Sequence, residues 1–425
     1  MLNRRNWIYL ALMVVLLLGV TGVFAQDAPS GELEVFSWWT GGGEALGLEA
    51  MIARFSELYP DVTVVNAAVA GGSGVNARAV LTTRMLGGDP PDTFQVHAGE
   101  ELNAVWVAAG LMQPLNDIYE ANGWLEQYPQ GLLDLITDEE GNIYVVPVNI
   151  HRSNVLWYNP AKLEEWGVTV PTTWDEFIAT CATLAEAGVP AMAIGENWTQ
   201  VHLWESVALG VLGADGYNGL WDGTTSWTSP EVISTFETLG AVMDCANEDM
   251  NSLSWQDASQ RVINGEAAFN IMGDWAAGYF IADLGLEPNV DFGWAASPGT
   301  SGNFIFLSDT FGLPVGSPNP TAVNAWLSFI GSAEAQDIFN PLKGSLPANT
   351  TADIGNADLY NAYFQSAYTD WTSNSIVGSL AHGVVAAPAF SNAFAGLIAS
   401  FQGDGDAQSI AANAALLAIQ TGMAQ

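Results

Sequence analysis

The chain has 425 residues, 46 acids against 9 lysines and arginines, and a formal net charge of −37. A surface so acidic repels nucleic acid and anionic lipid, which excludes both as partners. Its length suits two domains or two lobes, and a 49% hydrophobic composition suits a sizeable core.

At the start, Arg4 and Arg5 precede an apolar run from Trp7 to Phe24, closed by Val23 and Ala25 ahead of Gln26. This charged, apolar, small-residue order predicts a signal peptide at 1–25 and export. The alternative is a retained anchor, since the run is roughly 18–20 residues long and barely spans a bilayer. No cysteine near the cut can carry a lipid, and no later stretch is long and apolar enough to cross a membrane.

A strand is expected at 32–37, followed by the turn Gly41-Gly42-Gly43 and a helix at 44–58. There Leu48, Met51, Ile52 and Phe55 recur at helical spacing. Pro60-Asp61 ends it, and 62–69 reads as a strand. A helix at 76–86 stops at Gly87-Gly88, 93–97 is a short strand, and 99–109 is helical. The strand at 143–150 contains Pro147, which lacks an N–H and so marks a sheet edge or a crossing segment. A strand at 155–158 follows, then helices at 174–187, 200–212, 230–246 and 255–264. A strand at 267–272 feeds a helix from 275, and 303–307 and 310–314 are extended. The rest is mainly helical, at 321–330, 334–340, 357–368, 389–401 and 407–421. The alternation argues for α/β layers. No low-complexity linker separates two halves, so the chain is expected to pass between lobes more than once.

Cys181 and Cys245 are the only cysteines. In an oxidising compartment such a pair forms a disulfide, worth about 4 kcal/mol in the chain-entropy model, or remains as two separate buried thiols. Seventeen tryptophans stand out, many beside glycine or polar residues. A flat indole covers the C–H face of a pyranose, while acids, amides, His and Lys pair with its hydroxyls. The segment Ser37-Trp38-Trp39-Thr40-Gly41-Gly42-Gly43-Glu44 is the most suggestive, because two adjacent tryptophans at a strand end cannot both enter one core face. Enzyme signatures are weak. There is no G-x-S-x-G elbow, no paired-histidine zinc spacing and no P-loop lysine. A secreted glycoside hydrolase would need two carboxylates at a set separation, and 46 acids make any pair uninformative.

Several segments carry a family likeness: EVFSWWT at 34–40, MIARFSELYP at 51–60, GNIYVVP at 141–147, WYNPAKLEEWGVTVPTTWDEF at 157–177, GEAAFNIMGDW at 265–275 and PLKGSLPA at 341–348. In that order the chain resembles the extracellular solute-binding proteins of ABC importers, in the maltose-binding-protein-like family. WWTGGGE at 38–44, Gln95-Val96-His97, Gly273-Asp274-Trp275, Ser308-Asp309-Thr310-Phe311 and Pro341-Leu342-Lys343-Gly344-Ser345 are most similar to its glucose/mannose-binding branch.

The resemblance implies a two-lobed, type II-like periplasmic-binding-protein fold with a cleft and several hinge crossings. Lobe 1 would hold 32–147 plus 303–345, and lobe 2 would hold 150–300 plus 350–425. Trp39 and Glu44 would contact a sugar from the first loop, and Gln95 and His97 from the third strand. Trp255 and Trp275 would wall the pocket, and Asp309, Lys343 and His382 would bind hydroxyls. Trp38, Asn149 and His151 follow from less distinctive motifs. The ligand would be a hexose, or alternatively a disaccharide, another monosaccharide or a polyol. No catalysis, cofactor or metal is implied. The partners would be permease subunits and their ATPase, and the protein a monomer exported to the periplasm or the outer face of the cytoplasmic membrane.

Overall fold

In the computed structural model, residues 28–71, 74–401 and 405–423 are described, so the expected signal peptide at 1–25 lies outside the described residues. Among the described residues eleven strands occur in chain order: β1 (Gly31–Phe36), β2 (Val62–Asn66), β3 (Thr93–His97), β4 (Val145–Pro147), β5 (His151–Arg152), β6 (Val155–Tyr158), β7 (Phe269–Ile271), β8 (Gly293–Ala296), β9 (Asn303–Leu307), β10 (Asp309–Gly312) and β11 (Ser375–Gly378).

They form three sheets. The largest has the order β2-β1-β3-β10-β4, with β1 parallel to β2 and β3 and with β10 antiparallel to both its neighbours. Pro147 does place β4 at an edge, where its carbonyl accepts hydrogen bonds from Gln336 Nε2 (3.0 Å) and Tyr128 Oη (3.1 Å). The second sheet is β7-β6-β8, all antiparallel to β6, and the third is β11-β9-β5.

Amphipathic helices cover these sheets. The helix Gly42–Leu58 buries Leu48, Met51 and Phe55 on one face. Phe55 meets Trp326 of helix Pro320–Ile330 edge-on at 5.2 Å, which joins two helices over the first sheet. Around the second sheet, Trp204 of helix Asn197–Asp222 stacks between Trp227 and Phe236 and touches Phe394 at 4.6 Å. The Cys181–Cys245 disulfide ties helix Trp174–Glu186 to the chain just beyond helix Pro230–Met243. No helix of the described residues is long and apolar enough to cross a membrane.

Differences from the sequence expectation have local causes. The helix expected to stop at 212 resumes beyond Gly213, whose φ of 68° and ψ of 176° break it without ending it. The strand expected over 143–150 is confined to 145–147, because the chain leaves the first sheet and pairs 151–152 with β9. The helix expected from 357 begins at Ala362, where the Asn361 side chain accepts from Tyr363 N and caps it. The segment 303–345, read from sequence as one part of lobe 1, divides at Ser308. Before it, β9 pairs with β5 and β11; after it, β10 joins the five-stranded sheet.

Candidate ligand-binding site

The site begins at the carboxyl ends of β1 and β3. The chain runs from β1 to β2 on one side, then returns to β3 on the other, so these two strands flank a topological switch point. Trp38 and Trp39 follow β1, and His97 ends β3. Because β10 is antiparallel, its first residue, Asp309, lies opposite His97. Three strand ends therefore deliver polar and aromatic side chains to one place.

The two tryptophans diverge, as adjacent strand-end residues must. Trp39 is 1% exposed and packs against Phe311 and Phe339, at 5.5 and 4.8 Å, behind the cavity. Trp38 turns into the cavity, with the Arg78 guanidinium 5.6 Å from its ring.

Of the glycines between Trp39 and Glu44, Gly43 admits neighbouring backbone. A Cβ on Gly43 would lie 2.0 Å from the Leu342 carbonyl oxygen and 3.2 Å from the Gly278 carbonyl carbon. One on Gly278 would lie 2.4 Å from the Lys343 carbonyl oxygen. This close approach brings together Glu44 from the first loop, Lys343 from the last turn of helix Ala333–Lys343, and Trp275 from the turn after β7.

The cavity holds about 290 Å3 of space, its mouth included. Trp38, Glu44, His97, His151, Trp255, Trp275, Asp309, Lys343 and His382 line it. Trp39, Gln95 and Asn149 do not; they stand behind it and hold other groups in position. Leu307 is a lining residue that the sequence did not suggest.

Asp309 is the polar centre. Its Oδ1 accepts from Gln95 Nε2 at 2.8 Å, and its Oδ2 accepts from Asn149 Nδ2 at 2.7 Å. His151 Nε2 lies 3.3 Å from Oδ2, close enough for charge attraction but without hydrogen-bond alignment. Burial alone would push this carboxyl up. Contact with His151 and the charges of Lys343 and His97 outweigh burial and hold it well below the usual carboxylate range. Asp309 is thus an ionised acceptor whose orientation is fixed from behind.

Lys343, 2% exposed, donates to Glu44 Oε1 at 2.8 Å. Its ammonium lies 5.6 Å from the Trp275 ring and 5.9 Å from the Trp39 ring. His151 Nδ1 bonds to Asp274, which also accepts from Arg152 N. Burial disfavours charge on His151, yet the Asp274 carboxylate raises its pKa above the ordinary imidazole value. His97 Nδ1 meets Glu101 Oε2 at 2.7 Å. Burial would raise the Glu101 pKa, but His97 and Arg78 pull it down.

His382 closes the far wall, 5.1 Å from the Trp275 ring and 5.5 Å from His97. Behind it stand His202 and Glu205, both fully buried, which no sequence motif joins to a site. Ligand atoms of His202, Glu205 and His382 lie within 4.8 Å of one another, a spacing a metal could use. Glu205, however, already accepts hydrogen bonds from Ser153, Ser379, Leu380 N and Ala381 N, which fill its lone-pair positions.

Three likenesses accompany this geometry. The chain is 37% identical over 365 residues to an uncharacterised ABC-transporter extracellular-binding protein of Pyrococcus horikoshii, covering 84% of this chain and 81% of that one. It is 32% identical over 390 residues to a probable sugar-binding periplasmic protein of Mesorhizobium japonicum, covering 89% and 90%. Among solved structures, the bacterial solute receptor AcbH, which prefers β-D-galactopyranose, superposes with a TM-score of 0.80 at 20% identity, over 92% of this chain and 99% of that one. The last shows the shared two-lobed α/β fold with a cleft between the lobes. Residues 41–337 match the bacterial extracellular solute-binding protein family, and with this fold and these relatives the chain belongs to that family.

Proposed function

We propose that this protein is the capturing subunit of an ABC sugar importer and that it holds one hexose, glucose- or mannose-like, between its lobes. The observation that carries the reading is the convergence of Trp38, Trp255 and Trp275 with Asp309, Glu44, Lys343 and three histidines on one buried space. Indole faces suit the C–H faces of a pyranose, and the ionised groups suit its hydroxyl rim.

In this reading Asp309 accepts from a hydroxyl, Lys343 donates to one, and Trp275 lies against the ring. The first lobe comprises the five-stranded sheet and its helices, and the second comprises the other two sheets. Contacts from both favour the closed form. The closed protein then docks on permease subunits, and the ATPase drives release. No side chain makes or breaks a covalent bond, and the protein works as a monomer outside the cytoplasm.

Titration calorimetry against glucose, mannose, galactose, xylose, maltose and glucitol tests the proposal. Hexose binding is expected at micromolar Kd or tighter. No sugar binding tighter than about 100 μM would sink it, and maltose preferred over every hexose would replace the monosaccharide by a longer ligand. Hydrolysis of an offered glycoside would move the protein to the enzymes.

A further inference from the structure

We infer that Glu205 is a positioning residue for ligand recognition: through Ser379 it sets the His382 ring as a hydrogen-bond acceptor facing the cavity, so that this corner selects a ligand hydroxyl able to donate. The inference rests on the reading that the cavity takes a sugar.

Glu205 Oε2 receives Leu380 N–H at 2.8 Å and Ala381 N–H at 3.0 Å, groups that can only donate. As a carboxylate Glu205 can only accept. Ser379 Oγ lies 3.0 and 2.9 Å from its two oxygens, so the single hydroxyl proton of Ser379 points at Glu205. Only the lone pairs of Ser379 remain for His382. One accepts the His382 backbone N–H at 3.2 Å, and the other faces His382 Nδ1 at 2.9 Å. Nδ1 must therefore carry a hydrogen and donate.

A neutral imidazole has one N–H, which leaves Nε2 bare. The ring is neutral because burial, with three other imidazoles (His97, His202 and His151) nearby to oppose an added positive charge, pushes its pKa well below the ordinary imidazole value. Nε2 has no hydrogen-bond partner among the described residues, and the ring lines the cavity. It is an acceptor awaiting a donor. On its other side Glu205 accepts from Ser153, whose Oγ lies 3.2 Å from His202 Nδ1 and 3.5 Å from its Nε2. One carboxylate thus orients two serines.

The carboxylate must be ionised for this. Burial raises the Glu205 pKa to about 7, against the four donors that lower it, so the test belongs at about pH 8.5. Nitrogen-15 NMR of histidine-labelled protein, with His382 assigned by its absence in His382→Gln, should show Nδ1 protonated and Nε2 bare. Glu205→Gln introduces an amide that can donate to Ser379 and free its proton, and Ser379→Ala removes the relay. Each should abolish the Nδ1–H preference and weaken sugar binding by at least about tenfold.

A fluorosugar, whose fluorine cannot donate, should lose affinity at the position facing His382 in wild type and lose less in Glu205→Gln. A protonated Nε2 in wild type would overturn the inference. So would unchanged tautomer and affinity in Ser379→Ala when His382→Ala weakens binding. Unchanged affinity in His382→Ala would overturn the sugar site itself and, with it, the ligand step. If Glu205→Gln does not fold, the wild-type spectrum and Ser379→Ala still decide.

Discussion

Replacing Lys343 by Met separates the electrostatic framework of the site from its ligand chemistry. The side chain is 3% exposed and its partner Glu44 17%, with Nζ and Oε1 2.8 Å apart. Removing one member of a buried pair costs about 3–5 kcal/mol, because the other stays buried and unpaired. Glu44 keeps some water contact, so the lower figure, about 3 kcal/mol, applies. An unfolding entropy of about 2.1 cal/mol/K per residue over about 400 residues gives about 0.84 kcal/mol/K, hence a drop in Tm of about 4 °C for one cooperative unit.

Lys343→Met with Glu44→Gln should recover most of that loss, since no charge is left unpaired, yet should not recover sugar binding. Calorimetric Tm and titration with the best hexose read the two effects separately. Wild-type affinity in Lys343→Met would refute the role of this lysine at the ligand. A double variant no more stable than Lys343→Met would refute the unpaired-charge reasoning.

Three further outcomes follow from the structure. Cys181→Ser with Cys245→Ser opens a loop of 64 residues' separation and should lose about 4 kcal/mol in urea unfolding while leaving sugar affinity unchanged, because neither cysteine lines the cavity. Gly278→Ala puts a methyl against the Lys343 carbonyl, so affinity should fall about ten- to a hundredfold by hindering closure, whereas Gly396→Ala, with open space around it, should leave affinity intact. Burial lowers the His202 pKa to about 3, so between that value and 6.5 the unfolded chain binds the proton and the native chain does not. Stability must then rise with pH through this window and be lost as pH falls. His202→Gln should flatten the acid limb of a urea-midpoint profile by on the order of 5 kcal/mol, and an unchanged limb would show that His202 is not its source.

Periodicity and punctuation revealed much of the fold. The helix Trp255–Asn264 and the strand Thr93–His97 stand where apolar spacing and flanking glycines put them. What escaped was short or set by tertiary pairing. β5, β8 and β11 have two to four residues each, too few for a period, and form only because β6 and β9 are beside them. At the site, motif-borne residues such as Glu44, Trp275 and Lys343 were legible, and they meet in the cavity. Trp39, Gln95 and Asn149 were legible too, yet sequence cannot tell a side chain that faces a cavity from one that props its neighbour. Ser153, Glu205 and Ser379 gave no signal, because three residues separated by 52 and 174 positions become one network only in the fold.

The proposed ligand groups also lie on the segments that cross between lobes. The chain leaves the five-stranded sheet between β4 and β5 and returns to it between β9 and β10, and Ile150 and Leu346 exchange backbone hydrogen bonds at 2.7 and 3.0 Å. Asn149 clamps these two passages: Ser308 Oγ donates to its carbonyl, Asp309 N donates to its side chain, and its amide donates to Asp309. Asp309 is therefore held where the chain passes between sheets, and in the proposed function it and Lys343 would be fixed reference points, while Trp275 and His382 follow strands of the other sheets. A ligand can shift the lobe equilibrium only by what it gains in the closed form. Moving from about 1:99 to 99:1 requires about 5.5 kcal/mol. Hydrogen bonds to charged groups contribute roughly 1.5–3 kcal/mol each and neutral ones about 1. If a sugar binds as proposed, contacts with Asp309 and Lys343 would form in both states and set affinity for the open protein. Closure would then be driven by the remaining few, Trp275, Trp255 and His382, so the orientation of the His382 ring would bear directly on whether the lobes shut.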